Sequence, residues 1–136
     1  MPITLHYSPI TVSDPEAALA FYRDALGLPV AQDVSSGGHR WITLGEHGGA
    51  QIVLSDPRAG RSPADGEALE ELIVKGALGP WVFATDDLDA LFEQAAASGA
   101  EVVQEPADQP WGPRDAAFRD PSGNIVRVLQ AAPVAQ

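Results

Sequence analysis

The sequence predicts an α+β fold made of two tandem βαβββ modules, and three observations carry that prediction. The second half of the chain repeats the first: Asp14 maps to Asp86, Leu19 to Leu91, Ala25 to Ala97, Gly27 to Gly99 and Val30 to Val102, a shift of 72 positions. A repeat of that length exceeds a solenoid unit and suits two copies of one small module. Helix-capping residues bracket the same stretch in both copies. Segments of alternating apolar and polar residues surround each stretch and read as strands.

Taken in order, residues 3–12 read as a strand, with Tyr7, Pro9 and Thr11 on one face and Ile10 and Val12 on the other. Asp14 then supplies an N-cap, Pro15 the first helical position and Glu16 a charge that suits the helix N-terminus. Leu19, Tyr22 and Leu26 make the buried stripe, and Gly27 closes the helix. Strands are expected at 28–33, 40–45 and 50–55, separated by Ser35-Ser36-Gly37-Gly38 and Glu46-His47-Gly48-Gly49. Residues 56–66 read as an exposed connector, followed by a short helix within 67–75 carrying Leu69, Leu72 and Ile73. The second copy predicts a strand at 80–85, a helix at 87–98 with Leu88, Leu91, Phe92 and Ala95 inward, and strands at 100–104, 114–119 and 124–130. A frayed tail is expected from Ala131 to Gln136. Residues 1–136 thus read as a single domain, with module one at about 3–55, a connector at 56–79 and module two at about 80–130.

Composition narrows the function. With no cysteine there is no disulfide, thiolate metal site or cysteine nucleophile. A net charge of −11 argues against nucleic acid, whose phosphates need a cationic face. No run approaches the roughly 18 apolar residues of a membrane span. The first residues lack the pattern of a signal peptide, so a cytoplasmic location is expected. Nothing resembles a phosphate-binding loop, a Ser-His-Asp arrangement or a redox-cofactor fingerprint.

The stretch Asp-Pro-Glu-Ala-Ala-Leu-Ala-Phe-Tyr-Arg-Asp-Ala-Leu-Gly at 14–27, with Phe-Arg-Asp-Pro-Ser-Gly-Asn at 118–124, resembles the vicinal oxygen chelate superfamily. That superfamily includes glyoxalase I, bleomycin-resistance proteins, fosfomycin-resistance enzymes and extradiol dioxygenases. The resemblance implies cupped mixed sheets around a cleft, helices outside, and a homodimer. It also implies four metal-ligand positions, which fall here on Tyr7, Val53 (or Gln51), Pro80 and Arg127. Proline and valine carry no ligating side-chain atom and a guanidinium repels a cation, so no metal and no other cofactor is expected. His6 is one residue out of register, and His39 and His47 lie at strand ends or in turns, so none of the three restores a ligand set.

Alternation then sets the cleft lining as Tyr7, Trp41, Gln51, Val53, Val82 and Arg127, a mixed aromatic, amide and cationic surface suited to a small organic molecule. Trp41 either stacks on a ligand or fills space. Arg127 requires a carboxylate partner or a ligand oxygen. Trp111-Gly112-Pro113-Arg114 reads as a loop entering a strand, with Trp111 closing the cleft mouth or resting on the surface. Arg114 is expected to reach the cleft or to pair with Asp115 or Asp120, the pairing being favoured. Asp120-Pro121-Ser122-Gly123-Asn124 reads as a structural turn. The favoured function is metal-independent binding of a small molecule, as in the bleomycin-resistance branch. The alternatives are a metal-free isomerase or lyase on a carbonyl compound, with Arg127 stabilising an oxyanion and Tyr7 as acid or base, and, less favoured, a metal-dependent glyoxalase or dioxygenase.

Overall fold

A computed structural model describes residues 2–131. The chain runs β1 (Tyr7–Thr11), α1 (Pro15–Leu19) continuing as a π-helical turn (Ala20–Ala25), β2 (Val30–Ser36), β3 (His39–Leu44), β4 (Gln51–Ser55), α2 (Pro63–Val74), β5 (Trp81–Thr85), α3 (Leu88–Ala97), β6 (Glu101–Gln109), β7 (Gly112–Arg119) and β8 (Ile125–Gln130). These make two four-stranded sheets, ordered β1-β4-β3-β2 and β5-β8-β7-β6. In each, the first and last strands of the module pair in parallel and the remaining pairs are antiparallel. A parallel pair needs a crossover, and α1 and α3 supply it. The expected α+β architecture of two βαβββ modules is therefore present, and neither sheet closes into a barrel.

The register separates two faces on each sheet. Ile10, Ile42, Leu44, Ile52 and Leu54 of the first sheet and Phe118, Val126 and Val128 of the second are buried together with Leu19, Tyr22, Leu88 and Ala95 from the helices. Trp81 and Phe83 pack against this cluster partly buried. The helix-covered sides of both modules thus share one core, and each fully buried aliphatic side chain there contributes on the order of 1.5–3 kcal/mol.

A buried polar joint ties the modules. Tyr22 Oη donates to Asp120 Oδ2 at 2.6 Å, and Asp120 Oδ1 accepts from the amides of Ser122, Gly123 and Asn124, each at 2.9 Å. Asn124 Nδ2 reaches across to the Thr11 carbonyl at 2.8 Å, and the Ser13 amide donates to Ser122 Oγ at 2.9 Å. The Asp120–Asn124 segment is a structural turn, as its composition suggests.

Several sequence expectations need correction. The first strand begins at Tyr7, and residues 2–6 stand exposed before it. The helix expected within 67–75 begins earlier, at Pro63: Ser62 Oγ caps it by accepting from the Asp65 amide, and proline is well tolerated in the first turn. Gly66, at the end of the expected connector, is a close-packing point within α2, since a Cβ there would sit 3.2 Å from Arg58 Cγ. Leu72, expected inside, is exposed, while Ile73 is fully buried. Residues 111–114 are no loop entering a strand: β6 continues to Gln109 and Trp111 lies at the tip of the β6–β7 hairpin. The repeat also carries a one-residue discrepancy, because Asp87, not Asp86, caps α3, whereas Gly27 and Gly99 both adopt positive φ after their helices. The first helix therefore holds one residue more, and its π turn absorbs it, with the Leu26 amide bonding back to Phe21. Phe21 and Tyr22 are both buried within this turn. The expected frayed tail lies, from residue 132 on, outside the described residues.

Candidate ligand site on the open sheet faces

The faces opposite the core carry the side chains that alternation assigns to a cleft. On the first sheet, register places Tyr7 beside Gln51, Pro9 beside Val53, Val53 beside Thr43, and Trp41 beside Val34. Tyr7 and Trp41 meet edge-to-face with ring centroids 6.1 Å apart, a favourable aromatic geometry. Both rings remain open to solvent, Trp41 being 46% exposed. Gln51 and Val53 are buried, and Gln51 Nε2 donates to the Gly45 carbonyl at 3.4 Å. Beside them lies a cavity of about 570 Å³ whose walls include Leu5, His6, Tyr7, Thr43, His47 and Gln51. His6 and His47 thus approach the site as its rim, although among the described residues no three His, Cys, Asp or Glu side chains gather as a metal set.

On the second sheet, Val82 pairs with Arg127, and Arg127 with Ala117. Val82 is 58% exposed, so this face is open to solvent at that position, while Ala117 and Asp115 on the same face are buried. Arg127 Nη1 donates to Asp115 Oδ2 at 3.0 Å and to Gln104 Oε1 at 3.2 Å. Asp115 Oδ1 in turn accepts from Gln104 Nε2 at 3.0 Å and Gln109 Nε2 at 2.8 Å. Burial pushes the Asp115 carboxyl up, but hydrogen bonds from Gln109 and Gln104 and the charge of Arg127 together outweigh it and hold it below the usual carboxylate range. Asp115, Gln104 and Gln109 are hydrogen-bonded neighbours of the Arg127 position that sequence reasoning missed. One signal was available, namely an aspartate directly before the core residues Ala116, Ala117 and Phe118, where a buried carboxylate requires partners.

The eight expected site residues therefore divide into three groups. Tyr7, Trp41, Gln51 and Val53 gather on the first open face, and Val82 and Arg127 on the second. Trp111 and Arg114 belong to the hairpin tip: Trp111 is 77% exposed, and Arg114 pairs with Asp89 of α3 at 2.7 Å rather than with Asp115 or Asp120. The reason is geometric, since Arg114 and Asp115 are strand neighbours and point to opposite faces. Of the positions where the resemblance places metal ligands, Tyr7 and Val53 lie on the first sheet, Pro80 just precedes β5, and Arg127 is already held by a carboxylate.

Two βαβββ modules, each a four-stranded mixed sheet backed by a helix, define a class of paired-module α+β proteins. Residues 4–128 match the Glyoxalase/Bleomycin resistance protein/Dioxygenase superfamily, and the chain belongs to it. Among solved structures, UcmS2 is similar over 96% of this chain and 100% of its own, with 31% identity and a TM-score of 0.86. TnmS3, an antibiotic binding protein from Streptomyces sp. CB03234, is similar over 97% of this chain and 99% of its own, with 29% identity and a TM-score of 0.74. The putative glyoxylase CFP32 of Mycobacterium tuberculosis is 33% identical over 132 residues, 96% of this chain. This chain spans only 45% of that mycobacterial relative, about half its length.

Proposed function

We propose that this protein is a metal-independent binding protein that holds a small organic molecule against its open sheet faces. The observation that carries the reading is the solvent-open Tyr7–Trp41 pair above a floor of Thr43, Gln51 and Val53, a stacking surface with directed polar groups. Metal independence rests on the chemistry of the donor positions. Valine and proline offer no side-chain donor, and Arg127 brings a cation already paired with Asp115. The antibiotic binding protein TnmS3, similar over nearly the whole chain, supports binding as the function.

As parts of the same proposal, residues 1–136 act as one domain, in the cytoplasm, and as a homodimer. The exposure of Trp41, Val82 and Val34 favours a second copy that brings one chain's first open face over the other's second, joining Tyr7, Trp41, Gln51, Val53, Val82 and Arg127 around one ligand. The roughly doubled length of the mycobacterial relative fits a pair of such units. Trp111, at its hairpin tip, is proposed to close over that ligand, while Arg114 holds the hairpin to α3 through Asp89 on the opposite face.

A screen of aromatic small molecules read by tryptophan fluorescence tests the reading, with Trp41→Phe assigning the signal and elemental analysis run on the same preparation. Saturable quenching that survives a chelator and is lost in Trp41→Phe is expected. Stoichiometric zinc, nickel or iron that binding requires would overturn the proposal.

A further inference from the structure

The hydrogen bonds of Arg127 to the described residues run through Nη1, which engages Asp115 and Gln104. Its remaining donors, on Nε and Nη2, make none, and the side chain is one-third exposed beside the exposed Val82. The guanidinium is thus oriented by protein groups on one edge and offers N–H groups on the others. Its charge, however, is balanced on the spot, since the Asp115 carboxylate is itself largely buried and receives two further amide donors.

The same balance holds across the molecule. Arg23, Arg40, Arg58, Arg114 and Arg119 each have a carboxylate partner, and Arg61 donates to backbone carbonyls. Lys75 follows α2 as its C-cap. Among the described residues, every arginine on a strand of either sheet has a carboxylate partner, in a chain whose net charge is −11.

We propose that Asp115 sets the charge selectivity of the Arg127 anchor, so that the site takes an uncharged ketone or amide carbonyl on an aromatic ligand and turns away carboxylates. The inference rests on the binding function proposed above and deepens it by naming the ligand class. An arriving carboxylate meets an Arg–Asp pair with no net charge, so the hydrogen bonds it gains from Arg127 are opposed by the Asp115 carboxylate and do not offset the loss of its hydration, and the field of the whole protein repels it. A neutral carbonyl loses far less hydration and still accepts a hydrogen bond from a charged donor. Asp115 acts through Arg127 and is a positioning residue.

The test uses a matched pair of probes, neutral 2-acetylnaphthalene and anionic 2-naphthoate, titrated calorimetrically into the full-length protein. The parent protein is expected to bind the ketone at least tenfold more tightly than the carboxylate. Asp115→Asn keeps the shape and frees the positive charge, and it should shrink that ratio at least tenfold by gaining affinity for 2-naphthoate. Should Asp115→Asn fail to fold, Val82→Lys places an unbalanced cation at an exposed position next to Arg127 and should bring the same gain. A parent that prefers 2-naphthoate, or a ratio unmoved in either folded variant, overturns the selectivity while leaving ligand binding standing. A parent that binds neither probe overturns the open-face site itself, and the selectivity with it.

Discussion

Tyr22 illustrates how one residue holds the two modules together. Its hydroxyl is buried against Asp120, so burial first, and the neighbouring carboxylate second, push its proton affinity well above that of a free phenol. The folded protein therefore keeps a proton that the unfolded chain releases above about pH 10. The sign follows from linkage: this contribution is fully present below about pH 10 and is lost as pH rises further. Tyr22→Phe should cost about 1–3 kcal/mol at neutral pH, the scale of a lost hydrogen bond to a buried carboxylate. Urea titrations at pH 8 and pH 11 should show the gap between parent and variant narrowing, and an unchanged gap would remove this account. Asp115 behaves oppositely. Its lowered proton affinity stabilises the fold above the ordinary carboxylate range, and that contribution should disappear below about pH 4 in the parent but be absent throughout in Asp115→Asn.

Among the elements, α2 and the β7–β8 turn fix each other. Gly123 has φ of +118°, and a Cβ there would lie 2.3 Å from the Ile73 carbonyl oxygen near the end of α2. Gly123→Ala should destabilise by more than the roughly 1 kcal/mol that glycine's backbone freedom alone is worth, because the helix must also shift. A thermal melt matching the parent's would show that the two elements do not touch in solution. Ser62 caps α2 in a segment whose prolines and glycines read as connector, and Ser62→Ala should cost about 1 kcal/mol in a denaturant titration. Helix existence was legible here from Ile73 and its neighbours, but its start was not. Pro63 and Gly66 signal breaks until their packing is known.

For the whole molecule, the proposed homodimer gives a direct expectation. Sedimentation equilibrium at micromolar concentration should return about twice the 14.3 kDa chain mass. Glu substituted for Val82, on an exposed face that the proposal buries against a second copy, should shift that equilibrium toward the monomer and weaken ligand capture together. Ligand binding at full affinity by a monomeric parent would reject the shared cleft.

The sequence by itself determined that two βαβββ modules form and which side of strands such as β8 turns to the core. Helix caps and period-two alternation are local, and Val126 and Val128 flanking Arg127 leave no doubt about the inward side. It also determined the family, through stretches contiguous in the chain. Tertiary structure alone decided the partners of the polar groups: Tyr22 meets Asp120 98 positions away, and Arg127 meets Asp115 and Gln104 across strands whose register shifts more than once. Alternation gives a side chain's direction, but a bulge changes its neighbour without changing local composition. Whether an arginine's charge is neutralised or left for a ligand is therefore a property of the folded sheet.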